Sequence, residues 1–229
     1  MICHPYKCIF IHVPKAAGQS VENYFLKKLG LDWNSRSPLL LRNNTELKVG
    51  PPKLAHLKAA EYVKYYYLSQ ELFDAYFKFG FVRNPWSRAV SIYKYMGYNS
   101  VIDFETFVNY QLPGLMKTTY WFVCPQYEFF YDKDKLLIDY VGKFESLQKD
   151  FKTVCENLGF TDTELPHVNK SEKEKFKGIK MIAKDPKLLS KISLKKPFLH
   201  NYKEYYTETS KNNIYKLYKK DVDIFEYDF

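Results

Sequence analysis

The feature of this sequence that most restricts its fold is a short apolar run near the start, followed by a turn of small residues and a helical pattern. Residues 8–13 read Cys-Ile-Phe-Ile-His-Val, and an uninterrupted apolar run of this length is typical of a buried parallel strand. Residues 14–20 read Pro-Lys-Ala-Ala-Gly-Gln-Ser and predict a turn, and the helical pattern after them continues to Leu29. This order predicts the opening of an α/β nucleotide-binding fold.

Two more strands with following helices extend this pattern. Residues 78–82 predict a strand, after which Asn84 can cap a helix and Pro85 suits its first position. Residues 136–141 predict a third strand, followed by a helix that Gly159 ends. We also predict helices at about 54–67, 69–76, 103–111, 113–123 and 202–225, and loops at 32–53 and 161–200. The predicted fold is a three-layer, P-loop-like α/β fold with a central parallel sheet flanked by helices, in one domain over 1–229.

Composition narrows the function classes only a little. With 229 residues, 46% of them hydrophobic, the chain can bury a core, which excludes a disordered chain and a disulfide-stapled miniature. Lys and Arg number 35 against 26 Asp and Glu, and this excess favours an anionic partner. Two of the four arginines, Arg83 and Arg88, lie in one short segment, which is a better guide than the total charge. The four cysteines form no C-x-x-C pair, so we expect no metal site.

The first motif that indicates a chemical function is the turn at 14–20. A loop of small residues lets backbone N–H groups surround a phosphate at the positive end of the following helix. Lys15 would add a full charge, and Ser20 a hydroxyl from the first helical turn. The loop is not a Walker A motif, because its lysine precedes the glycine. An ordinary strand-to-helix turn with a surface lysine remains the alternative.

The second motif covers residues 81–91. Arg83 follows a predicted strand, at the edge where open α/β sheets bind ligands, and its planar guanidinium fits a phosphate bidentately. Arg88 and Ser91 are three residues apart and therefore share one helix face. A capped helix with a surface salt bridge remains the alternative.

Together the two motifs resemble the donor-binding pair of the Golgi-type carbohydrate sulfotransferase superfamily and its bacterial and viral relatives. The matching patterns are P-K-x-x-G-x-S after an early strand and R-x-P-x-x-R-x-x-S after a later one. Pro125-Gln126, the segment 138–147 and the segment 166–171 follow in the order that is usual for the family. The resemblance therefore extends from about residue 8 to the C-terminus.

The resemblance implies 3′-phosphoadenosine 5′-phosphosulfate (PAPS) as the sulfuryl donor, an acceptor hydroxyl on a carbohydrate, and no metal. Arg83 and Ser91 match the residues that bind the 3′-phosphate, whereas for Arg88 a structural role is equally open. Lys170 and Ser171 could reach a phosphate. Gln19 stands where the family often has Thr or Ser, so that hydroxyl contact is in question. The residues that match the 5′-phosphosulfate loop are Lys15, Ala16, Ala17, Gly18, Gln19 and Ser20.

Sulfuryl transfer requires in-line geometry, charge stabilisation on the leaving oxygen and a general base. Lys15 would neutralise the leaving oxygen. His56 is the predicted base, because several family members place a catalytic histidine between the two donor motifs. We expect His56 to open a helix, whose N-terminus would keep its imidazole neutral. His12 is predicted to be a core histidine, and Glu22 and Glu61 are fallback bases.

Other classes of function and the location are also open at this point. A P-loop-type kinase or NTPase would need Mg²⁺ and a better Walker A loop, and a nucleic-acid-binding module would rest on the +9 charge and the aromatic residues. A donor-binding protein without catalysis is a third alternative. We expect an enzyme that does not bind nucleic acid, with an acceptor that is anionic if the lysine-rich loops flank its cleft. The oligomeric state stays open.

No signal pattern or membrane span is present, so we expect a cytoplasmic protein, or a Golgi one only if an anchor has been removed.

Overall fold

A computed structural model of the chain describes residues 1–166 and 199–229. These residues form two compact units. The first holds Met1–Arg83 and residues 126–166, and the second holds Asn84–Pro125 and residues 199–229. That the whole chain is one domain stays a prediction.

The strands and α-helices of the described residues are short. The strands are Ile2–Cys3 (β1), Cys8–Ile11 (β2), Phe77–Val82 (β3), Tyr131–Asp132 (β4), Lys135–Leu136 (β5) and Tyr140–Lys143 (β6). The helices are Gly18–Lys28 (α1), Ala59–Lys64 (α2), Gln70–Ala75 (α3), Pro85–Tyr95 (α4), Phe104–Thr106 (α5), Leu112–Thr118 (α6), Tyr120–Val123 (α7), Leu147–Asn157 (α8), Glu208–Leu217 (α9) and Lys219–Phe225 (α10). No described helix combines the length and apolar character needed to cross a membrane.

The first unit is built on a four-stranded sheet in the order β1-β2-β3-β6. The strands β2, β3 and β6 are parallel, with Ile11 opposite Gly80 and Val82 opposite Lys143. This confirms an α/β fold on parallel strands. The sheet is nevertheless mixed, because β1 pairs antiparallel to β2. The sequence did not predict β1, since two residues are too few to leave a periodic pattern.

One face of this sheet is covered by α1 and α8. Their apolar residues form a single core cluster with the central strands, in which the rings of Phe10 and Phe79 stack at 5.2 Å. Phe25 of α1 and Phe151 of α8 are fully buried in it, and burying such a side chain stabilises the fold by about 1.5–3 kcal/mol. The three-layer, P-loop-like arrangement stays a prediction.

The predicted strand at 136–141 has the wrong bounds. Its first residue, Leu136, belongs to β5, which pairs with β4 in a separate two-stranded sheet, and its last two, Tyr140 and Val141, belong to β6 in the main sheet. Between them, Asp139 N donates to Lys78 O at 2.8 Å and begins the alignment with β3. The apolar run alone does not reveal that its two ends pair with different partners.

The second unit contains α4–α7, α9 and α10. As predicted, Asn84 caps α4: its side-chain oxygen accepts from Trp86 N and Ser87 N, and Pro85 occupies the first turn. The predicted helix at 202–225 is wrong as one element. A 3-10 turn at Tyr202–Tyr205 precedes α9, and α10 follows separately. Thr207 starts α9 with a capping box to Ser210, which fixes the break.

Candidate active site

The predicted donor-binding residues of the first unit follow the carboxyl ends of neighbouring parallel strands. The loop after β2 carries Lys15, and Arg83 directly follows β3. Since β2 and β3 are paired in parallel register, both segments emerge at the same edge of the sheet. This is the edge at which open α/β sheets bind ligands.

The loop between β2 and α1 has an unusual backbone. Lys15 and Ala17 have positive φ values of 70° and 66°, whereas Ala16 between them does not. Left-handed conformations cost L-residues roughly 1–2 kcal/mol each, so the surrounding structure holds the loop in a strained shape. Backbone segments that alternate between right- and left-handed residues can turn N–H groups to one side and bind an anion there. Ala17 offers no side-chain oxygen to cap α1, which begins at Gly18.

The remaining loop residues differ in exposure. Ser20 lies in the first turn of α1, where its N–H donates to Ala17 O at 3.0 Å. Gln19 is exposed, so the position where relatives often carry a hydroxyl presents an amide instead. Ala16 and Gly18 are buried, and Lys15, Ala17 and Ser20 are half-buried.

Arg83 is in contact with the loop between β2 and α1, residues 12–17, which is the predicted donor loop. Its Nη1 lies 3.4 Å from the carbonyl oxygen of Lys15, and its guanidinium carbon lies 4.2 Å from the centre of the Phe144 ring. A guanidinium at this distance is attracted to the face of an aromatic ring by a cation–π interaction. The structure therefore brings together the two cationic residues that the motifs singled out, 68 positions apart in sequence.

The main chain of Arg83 is held by Gln126. The side-chain oxygen of Gln126 accepts from Arg83 N at 2.9 Å, and its Nε2 donates to Arg83 O at 2.7 Å. Gln126 is fully buried. From the sequence, Pro125-Gln126 is only part of the family resemblance and has no predicted role. The residue that Gln126 bonds, Arg83, is 43 positions away, so no local pattern links the two.

His12 is a buried, paired histidine, as predicted for a core position. It is 6% exposed, and its Nδ1 lies 2.6 Å from Oε1 of Glu22, which is 2% exposed. The His12 ring also lies against Gly18: a Cβ added to Gly18 would lie 1.9 Å from His12 Nε2. Gly18 is therefore required by the space that His12 occupies. Glu22, which the sequence offers as a fallback base, is the partner of His12.

His56 is neutral for a reason other than the one expected. It ends the 3-10 turn Leu54–His56, and α2 begins only at Ala59, so the predicted helix start at this histidine is wrong. Its Nδ1 lies 3.0 Å from His12 O. Because a carbonyl can only accept, Nδ1 carries the hydrogen and Nε2 the basic lone pair. Burial, followed by the neighbouring charge of His12, holds the pKa of His56 well below its usual value.

Glu61 has a structural function in α2. Its Oε2 accepts from Lys58 N at 2.8 Å, at the residue that precedes the helix. Burial raises the pKa of the Glu61 carboxyl.

Two predicted donor-binding residues lie in the second unit, on α4. Arg88 is 1% exposed, and its guanidinium donates to Cys124 O at 2.9 Å and to Phe122 O at 3.2 Å. These contacts fit the structural role that the sequence left open for Arg88. Ser91 is half-buried, and its role as a reader of the 3′-phosphate stays a prediction. Lys170 and Ser171 lie outside the described residues.

The described part of the chain, 1–166 and 199–229, contains no cluster of three or more His, Cys, Asp or Glu side chains that could hold a metal ion. All four cysteines are buried free thiols, and Cys3 lies opposite Cys8 in the β1–β2 register.

Comparison with known proteins defines the class. A model described as the Sulfotransferase family matches residues 1–228. The chain therefore belongs to the sulfotransferase family, which confirms the resemblance and supports sulfuryl transfer as its general activity. An uncharacterised protein of Archaeoglobus fulgidus is 27% identical over 115 residues, which cover 49% of this chain and 92% of the archaeal protein.

Proposed function

We propose that this protein transfers a sulfuryl group from PAPS to a hydroxyl of a carbohydrate acceptor. The observation that carries the proposal is the contact between Arg83 and the donor loop, with Arg83 Nη1 3.4 Å from Lys15 O at the carboxyl edge of the sheet. A donor with a phosphosulfate at one end and a 3′-phosphate at the other needs two separate anion sites. The Lys15 loop and the Arg83 guanidinium fit these two requirements.

The proposed chemistry assigns one task to each residue. PAPS supplies the sulfuryl group and, as its leaving group, a phosphate oxygen that gains negative charge. The Lys15 ammonium and the N–H groups of the loop stabilise that charge. His56 accepts the proton of the acceptor hydroxyl at Nε2, since its Nδ1 is engaged with His12 O.

The acceptor class rests on family membership. Carbohydrate hydroxyls are favoured over protein tyrosine or lipid-like alcohols by the resemblance to carbohydrate sulfotransferases. The segments 32–53 and 170–196 carry several basic residues, which would suit an anionic glycan.

Calorimetric titration tests the donor assignment without knowledge of the acceptor. We expect 3′-phosphoadenosine 5′-phosphate (PAP) to bind the wild type at micromolar concentration without metal, and ATP with Mg²⁺ to bind much more weakly. Arg83→Ala should lose about 2 kcal/mol or more of PAP binding, roughly thirtyfold in Kd, because a charged donor of hydrogen bonds to the phosphate is removed.

Arg42→Ala is the matched control, because it removes an exposed arginine of the same unit outside the donor motifs. PAP affinity should stay within twofold of the wild type. Preferential binding of ATP with Mg²⁺ would instead favour the kinase or NTPase alternative and contradict the proposal.

A further inference from the structure

Gln126 hydrogen-bonds the main chain of Arg83, the residue that directly follows the last paired residue of β3. Gly80 is the last residue of β3 that pairs with β2, and Val82 is the last that pairs with β6. Arg83 lies one position further. The side-chain amide of Gln126 uses one N–H as donor and its oxygen as acceptor toward the Arg83 main chain, as a neighbouring strand would, so Gln126 replaces a strand at this position.

The support that Gln126 gives is itself rigid. Gln126 is fully buried, and its own carbonyl accepts from Phe129 N at 3.0 Å, which anchors it to the turn that follows. Its two bonds to Arg83 measure 2.9 and 2.7 Å, within the best range for N–H···O hydrogen bonds. The contact from Arg83 Nη1 to Lys15 O, at 3.4 Å, is longer and weaker.

The direction of the Arg83 side chain depends on this support. With both main-chain groups held, the Cα–Cβ bond has one orientation, and the guanidinium carbon lies 4.2 Å from the centre of the Phe144 ring, with Nη1 3.4 Å from Lys15 O. Bidentate recognition of a phosphate requires the fork to be held in one plane, whereas a loosely held arginine acts only as a diffuse charge.

We propose that Gln126 is a positioning residue for donor selectivity: by fixing the Arg83 main chain it aims the guanidinium at a phosphate on the ribose 3′ position. It thereby sets the preference for a 3′-phosphorylated adenosine nucleotide over the same nucleotide with a free 3′-hydroxyl. The inference rests on the proposed function, because it takes Arg83 as the reader of that phosphate.

The test compares PAP with adenosine 5′-phosphate, which differs from PAP only by the 3′-phosphate. In Gln126→Met, a variant of similar length without hydrogen bonds, we expect the PAP affinity to fall at least tenfold. The affinity for adenosine 5′-phosphate should change less than twofold, so that the ratio of the two affinities falls at least fivefold. A ratio within twofold of the wild type, with thermal unfolding still cooperative, would overturn the inference.

Gln148→Met is the matched control. Gln148 also bonds main-chain groups on both sides, with Nε2 donating to Thr163 O at 2.7 Å and Oε1 accepting from Leu165 N at 3.3 Å, but it is exposed and bonds a different segment. Its affinity ratio should equal that of the wild type. An equal fall in both variants would count against a specific role of Gln126.

A conservative variant covers the case in which Gln126→Met does not fold. Gln126→Asn keeps the amide but shortens its reach by one methylene, so we expect the ratio to fall more than twofold, and a ratio within twofold of the wild type overturns the inference. The failure of the proposed function gives a different result, because the wild type itself would then show no preference for PAP over adenosine 5′-phosphate.

Discussion

His12 joins three parts of the first unit through different atoms. Its Nδ1 lies beside Glu22 on α1, its Nε2 edge lies against Gly18, and its carbonyl holds Nδ1 of His56. The rings of His12 and His56 also meet edge to face, with centroids 4.4 Å apart. A residue that the sequence marked as ordinary core thus connects the donor loop with the proposed base.

The contact between His12 and Gly18 predicts the effect of a single methyl group. Gly18→Ala would place a Cβ inside the His12 ring, and such overpacking costs about 1–3 kcal/mol. We expect the free energy of unfolding in urea to fall by that amount and the PAP affinity to fall with it.

Gly114→Ala provides the control for that substitution. Gly114 lies within α6, and nothing lies within 4 Å of the Cβ it would gain, so the variant should be neutral or more stable by up to about 1 kcal/mol. Equal effects of the two substitutions would contradict the role given to His12.

The burial of His56 predicts a pH dependence of stability. Its pKa is lowered in the folded protein, whereas the unfolded chain has the usual value near 6.5, so the unfolded state binds the proton more readily. The contribution of His56 is therefore complete above about pH 6.5 and is lost as the pH falls below that value.

His56→Asn removes this titration and retains an N–H donor toward His12 O. Between about pH 7.5 and 5.5, we expect the free energy of unfolding of the wild type to fall by about 1 kcal/mol more than that of the variant. Urea unfolding at the two pH values measures the difference, and parallel losses would show that His56 is not held neutral by the fold.

At the residue scale, the sequence predicted the side chains that carry motifs better than those that support them. Lys15 and Arg83 were predicted from their motifs and His56 from the family resemblance, and their roles stay predictions. The reason given for the neutrality of His56 was wrong, because it assumed a helix start. Gln126 gives no local signal, since an amide that bonds a distant main chain leaves no periodic pattern.

At the scale of elements, the loop between β2 and α1 stores strain in two left-handed residues. Short strands and helices in this chain were predicted where flanking Pro, Asn or Gly set their ends, as in α4 and α8. Bounds were missed where tertiary pairing decides, as between β5 and β6, or where a capping box interrupts a long apolar pattern, as before α9.

Two neighbouring alanines test the strain in the loop. Ala17→Gly should raise the free energy of unfolding by about 0.5–1 kcal/mol, because glycine adopts the left-handed conformation at no steric cost. Ala16→Gly should lower it by a similar amount, because Ala16 has no positive φ and glycine only adds disorder to the unfolded chain. Thermal or urea unfolding of both variants decides, and changes of the same sign would contradict the loop geometry.

At the scale of the whole molecule, the order of motifs identified the class correctly, since the family match covers residues 1–228. The division into two units was not predicted from sequence. The chain leaves the first unit after Arg83 and returns to it at Gln126, so the residues on either side of this excursion are the two that hydrogen-bond each other. Composition does not predict this pairing of Arg83 with Gln126, because it depends on contacts in the fold and not on residue types.

The close approach of His12 to Gly18 couples the substitutions that evolution can accept at these two positions. Any side chain larger than hydrogen at 18 requires a smaller one at 12, and a smaller residue at 12 also removes the partner of Glu22. A viable lineage would therefore have to exchange the two positions together, or pass through a defective intermediate. Gly18 and His12 should therefore persist or change together in descendants of this protein.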